Sequence, residues 1–111
     1  MTWRANNLRK LTEEKGRQQN WDVIAFSPDN RILYANRTSV GFGDGDIYAV
    51  DVARGQQTNL TRHVDKQLNI GSDVWPEGST ILMTSNQESS YLNLAILDAT
   101  SKKLTWITDT Q

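Results

Sequence analysis

The sequence has 111 residues, 12 of them basic and 13 acidic, a formal net charge of -1, and no cysteine. That length fits one domain. The balanced charge excludes the cationic surface with which nucleic-acid binders displace counterions, and the missing thiols exclude disulfides, a cysteine nucleophile and cysteine-ligated zinc. The opening MTWRANNLRK has no apolar stretch behind its charges, and later apolar runs are short, so neither a signal peptide nor a membrane span is expected. The default location is therefore cytoplasmic, or periplasmic if a leader has been removed.

In chain order, the first predicted element is LRKLT, residues 8–12, read as a strand. A helix over NNLRKLTEEKGRQQ, capped by Asn7 with Leu8 and Leu11 on one face, is the alternative. DVIAFS is the next strand, and Pro28-Asp29-Asn30 supplies a turn, because proline pre-sets the backbone and aspartate bonds nearby amides. RILYAN and IYAVDV follow, each apolar on both faces, so both must be covered on both sides. QTNLT alternates instead, with Leu60 inward, as an outer edge strand does.

Between RILYAN and IYAVDV stands GFGDGD, Gly41 to Asp46. A calcium loop would need further oxygen ligands and a later glutamate, and a phosphate cradle would need a helix directly after the glycines. A strand follows, so the stretch is read as a turn in which glycines supply positive φ and aspartates bond locally.

The pattern then repeats. GDIYAVDVARGQQTNLT, from Gly45, lies over LNLAILDATSKKLTWIT, from Leu92, without a gap, pairing Asp51 with Asp98 and Thr61 with Thr108. Upstream, SPDNRILY matches WPEGSTILM, with Pro28 on Pro76 and, once one extra turn residue is granted to the second copy, Ile32-Leu33 on Ile81-Leu82. Leu11-Thr12 echoes Leu60-Thr61 in the same phase, which favours the strand over the helix at residues 8–12. The chain thus divides into a leading strand and connection (1–20), a first unit (21–66) and a second (67–111), each unit with four short strands. The expected fold class is all-β, two four-stranded antiparallel propeller blades. A compact eight-stranded sandwich or barrel is the alternative, disfavoured because its strands should alternate along most of their length.

FSPDNRILYANR with GDIYAVDVARGQQTNLT, and WPEGSTILMTSN with LNLAILDATSKKLTWIT, resemble the WD-like repeats of TolB-type beta-propellers over nearly the whole of both units. Two departures stand out: Asn30 replaces the turn glycine with one residue deleted in the first unit, and Trp75 replaces the turn serine in the second. The resemblance implies a propeller scaffold and no particular activity. Two blades leave apolar faces bare, so the chain is expected to close a ring by head-to-tail assembly. The six blades common in that family imply a homotrimer, with a dimer or tetramer as alternatives. The leading strand is expected at a chain junction.

Chemistry is scarce. His63, the only histidine, follows the first unit's last strand beside Asp65, with no serine in a nucleophile setting, and is read as a solvated loop residue. The acids Glu13, Glu14, Asp44, Asp46 and Asp51 show no catalytic spacing. No cofactor, metal site or enzymatic activity is expected. The predicted function is a non-catalytic binding or scaffold module whose rim loops carry Arg37, Phe42, Asp44, Arg62, His63, Lys66, Gln87, Glu88 and Tyr91, with the aromatic Phe42 and Tyr91 as anchors. Its ligand would be a protein, peptide or glycan. A carbohydrate-binding lectin, or a piece of the gating propeller of a prolyl-oligopeptidase-like hydrolase, are the alternatives.

Overall fold

A computed structural model describes residues 19–39, 43–64, 66–87 and 92–108. The predicted strand at 8–12 and Phe42, Asp65, Glu88 and Tyr91 lie outside the described residues. Eight strands follow in order: β1 Gln19–Phe26, β2 Ile32–Ser39, β3 Gly45–Asp51, β4 Gln57–Asn59, β5 Asn69–Val74, β6 Thr80–Ser85, β7 Asn93–Asp98 and β8 Leu104–Trp106. They form two four-stranded sheets, β1-β2-β3-β4 and β5-β6-β7-β8, with every neighbour antiparallel. The protein is all-β over these residues, with one sheet built from 19–59 and the other from 69–106.

Local chemistry explains why the units match. In the β1–β2 turn, Ser27 N–H donates to Ile32 O and Asn30 N–H to Ser27 O, at 2.8 and 2.9 Å. In the β5–β6 turn, Trp75 N–H donates to Thr80 O and Gly78 N–H to Trp75 O, both at 2.8 Å. These turns have the same length, which corrects the predicted one-residue deletion: Ile32 is equivalent to Thr80, and Leu33 to Ile81. Asn30 sits at φ 60° where Gly78 sits at φ 91°. Asparagine tolerates the left-handed region better than other side-chain-bearing residues, so it fills the glycine position without any change of length. The length difference falls between β2 and β3, where Arg37 pairs with Asp46 but Ser85 with Asn93, a connection one residue shorter.

The recurrence of Asp51 and Asp98 has an equally local cause. Asp51 Oδ1 accepts the amides of Ala53 and Arg54, and Asp98 Oδ1 those of Thr100 and Ser101. Each carboxylate thereby satisfies the turn into an outer strand.

Successive side chains of a strand point to opposite faces, and this sorts the core. Tyr34, Ile47, Leu60, Ile81, Met83, Ala95 and Leu97 form one buried cluster drawn from both sheets, with Ile24, Ala49 and Trp106 packed against it. Burial of a side chain such as Ile47, Ile81 or Leu97 contributes about 1.5–3 kcal/mol. Leu33, Val50 and Val52, with Trp21, form a second cluster. Among the described strands, only β5 brings its Cα atoms within 8 Å of the first sheet, next to β1, β2 and β3. At this approach an added Cβ on Gly71 would lie 2.6 Å from Ile24 Cδ1, so the bare glycine makes room for the isoleucine. The Asn36 side chain donates to Gly71 O at 2.9 Å and accepts Gly71 N–H at 2.7 Å. Tyr34 donates its hydroxyl to Gly78 O at 2.7 Å across the same seam.

Candidate functional site: a histidine clasped where the two sheets meet

The end of the first sheet that carries the β2–β3 tip also carries the connection to β5. The GFGDGD stretch is, over its described part, the predicted turn between two paired strands: Gly43 has φ 66° and Ser39 N–H donates to Asp44 O at 2.9 Å. Gly45 then pairs with Leu68 in an isolated parallel bridge, donating its N–H to Gln67 O at 3.0 Å. This backbone contact brings the β4–β5 connection against the start of β3.

His63 lies inside that contact, and its side chain is only 9% exposed. The reading of a solvated loop histidine is therefore corrected. Nε2 is 2.7 Å from Asp44 Oδ1, while Nδ1 is 2.9 Å from Asp46 Oδ1 and 3.1 Å from Thr61 O. Asp46 is held in turn by the Thr61 hydroxyl, which donates to Oδ1 at 2.6 Å, and by Asn59 Nδ2, which donates to Oδ2 at 3.1 Å. Asp44 Oδ1 accepts the Gln67 amide at 3.0 Å. Burial works against the His63 charge, but the hydrogen bond to Asp44, the Thr61 carbonyl and the two carboxylate charges outweigh it, so the imidazole is held above its ordinary pKa. Burial likewise opposes the Asp44 charge, and the Gln67 amide, His63 and Lys66 overcome it, so this carboxyl lies below its ordinary value.

The repeat explains part of this arrangement. Thr61 Oγ1 accepts Ile47 N–H at 3.1 Å, and Thr108 Oγ1 accepts Leu94 N–H at 2.8 Å. Thr108 then donates to Asn93 Oδ1 where Thr61 donates to Asp46. The paired threonines noted in the sequence are thus outer-strand clasps common to both sheets, and the acid at position 46 is particular to the first.

A second network adjoins the clasp. Arg37, opposite Asp46 in register, lies 5.8 Å from the Trp21 ring and 5.7 Å from the Tyr48 ring, and donates from Nη1 to the Tyr48 hydroxyl at 3.0 Å. Asn59 Nδ2 also reaches that hydroxyl, at 3.4 Å, linking the stack to Asp46. Trp21 Nε1 is buried and has no hydrogen-bond partner among the described residues.

Beside the clasp, a cleft of about 170 Å³ opens between the sheets, lined by Leu60, Thr61, Arg62, Gln67, Gln87 and Lys102 among others. Arg62 and Lys102 line it, and neither takes part in an ion pair among the described residues. A larger hollow of about 420 Å³ lies at the opposite end of the first sheet between Asp29, Arg31, Asp51 and Arg54. Its acids already serve their own turns, since Asp29 accepts from Ser27 and Arg31 and Asp51 from Ala53 and Arg54. The smaller cleft has the less committed chemistry.

Of the predicted rim residues, the structure joins Asp44 and His63 directly, ties Arg37 to them through Tyr48, Asn59 and Asp46, and places Arg62 and Gln87 on the cleft. Lys66 is exposed and acts on Asp44 by charge. Sequence reasoning misses Asp46, Asn59, Thr61 and Gln67 as site residues; only the recurrence of Thr61 signals any of them. Chemically, the two aspartates grip opposite sides of the imidazole ring, so their oxygens do not converge with it on one point. Among the described residues no group of three or more acids or histidines is arranged to hold a metal ion, and no helix is long and apolar enough to cross a membrane. No protein-family model matches the chain, and comparison with curated proteins finds none that matches it; the resemblance to TolB-type repeats rests on the quoted residues.

Proposed function

We propose that the chain is a non-catalytic binding and scaffold module, built from two propeller blades of the TolB-like, WD-like kind, that holds a protein or peptide partner at the cleft between its sheets. The observation that carries this reading is the pair of uncommitted cations, Arg62 and Lys102, facing a partly apolar floor of Leu60 and Leu104. Cations with amide neighbours favour a carboxylate-bearing ligand, and a protein or peptide supplies acids on a chain with apolar side groups. A neutral glycan would use neither charge. The test is a titration of the labelled protein with a tetra-aspartate peptide, a tetra-lysine peptide serving as control. Amide shifts at Arg62, Gln67 and Gln87 are expected with the acidic peptide alone, and the double variant R62A/K102A abolishes them. Retention on a glycan array without any response to the acidic peptide overturns the reading in favour of a lectin.

A second observation favours assembly. The first sheet's Ile47 is fully buried in the seam, whereas its equivalent in the second sheet, Leu94, is 37% exposed, and Ile107 nearby is 52% exposed. A second copy of the chain, presenting the exposed Val23 and Phe26 of its own first sheet, would cover this face. The sizes complement each other. Inside the chain Ile24 packs over Gly71, and between copies the equivalent positions are Ser72 and Val23, so the large and small partners exchange sides. Three copies would close a six-bladed ring. Light scattering is expected to report about three times the 12.6 kDa chain mass, and Leu94→Asp to return single chains; a folded wild-type monomer at high concentration sinks the assembly.

A further inference from the structure

His63 meets acceptors on both sides. The oxygen facing Nε2 belongs to Asp44, and those facing Nδ1 belong to Asp46 and to the Thr61 carbonyl. A carboxylate and a carbonyl bring no hydrogen, so each ring nitrogen must supply one. A neutral imidazole carries only one N–H, and only the imidazolium carries two. Neutral His63 would set a nitrogen lone pair against an oxygen lone pair in a place with little access to water, which costs the whole desolvation of the unpaired group. The closed geometry is thus specific to the charged ring.

The groups around it belong to four segments: Asp44 in the β2–β3 tip, Asp46 at the start of β3, Thr61 after β4, and Gln67 before β5, whose amide shares Asp44 Oδ1 with the imidazole. Among the described residues, Arg37 from β2, opposite Asp46 in register, Arg62 beside His63 in the β4–β5 connection, and Lys66, whose charge acts on Asp44, are the other charges on these elements. Lys66, whose charge also acts on Asp44, competes with the charged ring for that acid. We propose that His63 is a proton-operated latch: charged, it clasps the β2–β3 tip to the β4–β5 connection, and on losing its proton it releases that connection and loosens the end of the molecule where the two sheets meet.

The sign follows from the direction in which each group is displaced. His63 is raised from its ordinary 6.5, so its stabilisation is complete below about pH 6.5 and is lost as pH rises through the higher folded value. Asp44 is lowered from 3.8, so its share is present above about pH 4 and is lost as pH falls through the lower folded value. The latch is closed most firmly between those limits and opens on the alkaline side through the histidine.

The test uses the full chain labelled with nitrogen-15, in which the single histidine gives an unambiguous ring signal. Both ring nitrogens should carry protons at pH 6, with a titration midpoint above 6.5. Across that midpoint the protection factors of the Gly45 and Gln67 amides should fall relative to those of Ser27 and Trp75 at the far turns, because the closed state holds the ring proton more tightly than the open one. In H63Q the relative protection no longer changes with pH, and in D44N the ring midpoint drops. A midpoint at or below 6.5, one ring N–H at pH 6, or a loss of protection that H63Q leaves unchanged would each overturn the latch. Should H63Q fail to fold, the wild-type ring titration and D44N still decide.

Discussion

The two sheets share a strand order, turn chemistry and outer-strand clasps, yet their outward faces differ. On the first sheet the residues turned away from the seam include Leu33, Val50 and Val52, all buried, at 0%, 1% and 6% exposure. On the second sheet the outward positions include Leu94, 37% exposed, with Leu92 and Ile107 also exposed. The seam between them uses one face of each; on the outward face the first sheet is buried at β2 and β3 but exposed at Val23 and Phe26 of β1, and the second sheet is exposed at Leu94 of β7. The repeat encodes a strand's two-sided apolarity, while the neighbours decide how far each side is covered.

The sharpest way to break the comparison is to truncate the same repeat position in each sheet. Ile47→Ala should cost about 2–5 kcal/mol because it opens a cavity in the seam. Leu94→Ala should cost less than about 1 kcal/mol at concentrations where the chain is single, since the side chain is already partly in water. Urea unfolding curves compare the two, and equal costs would mean that the second sheet's outer face is covered in solution. A smaller difference is expected from the clasps. Thr61→Val loses the acceptor for Ile47 N–H and the donor to Asp46, and should cost about 1–3 kcal/mol. Thr108→Val, whose leucine amide is exposed to solvent, should cost about 1 kcal/mol or less by the same measurement. The smallest effect concerns the left-handed turn positions. Asn30→Gly should be neutral or stabilising by up to about 1 kcal/mol, because glycine carries no Cβ penalty there. Gly78→Ala should destabilise, since its Cβ would collide with the ring of Pro28. Thermal melts of the two variants place them on opposite sides of the wild type.

Much of this fold is legible because its signals are local. RILYAN and IYAVDV, apolar on both faces, mark strands needing cover on both sides, and Ile47 and Val50 on opposite faces of β3 are both buried. Asp51 and Asp98 announce turns because a carboxylate placed there bonds amides two and three residues on. The misplaced gap has a physical explanation too: matching Ile32-Leu33 to Ile81-Leu82 rewards apolar identity, whereas the chain aligns on backbone conformation, which Asn30 and Gly78 share. The candidate site is less legible. Asp44 lies 19 residues before His63 in sequence, and no spacing rule reports that a backbone bridge at Gly45 and Leu68 will bring them together. The ring stack of Trp21, Arg37 and Tyr48 depends likewise on the pairing of three strands. Such sites are made by register between distant segments, and register is invisible to any single segment.

The exchange between Asn36 and Gly71 has a consequence of its own. A side-chain amide carries a C=O and, on the same edge, an N–H, the pair that one residue of a strand presents to its neighbour, so Asn36 acts on β5 as a ladder rung one residue long. It indexes one sheet on the other. Sliding β5 by a single residue would present a backbone group facing the other way and replace the bare glycine with the side chain of Ile70 or Ser72 at the tightest point. Two sheets that share no strand are thereby held to one setting, as a peg holds a dial.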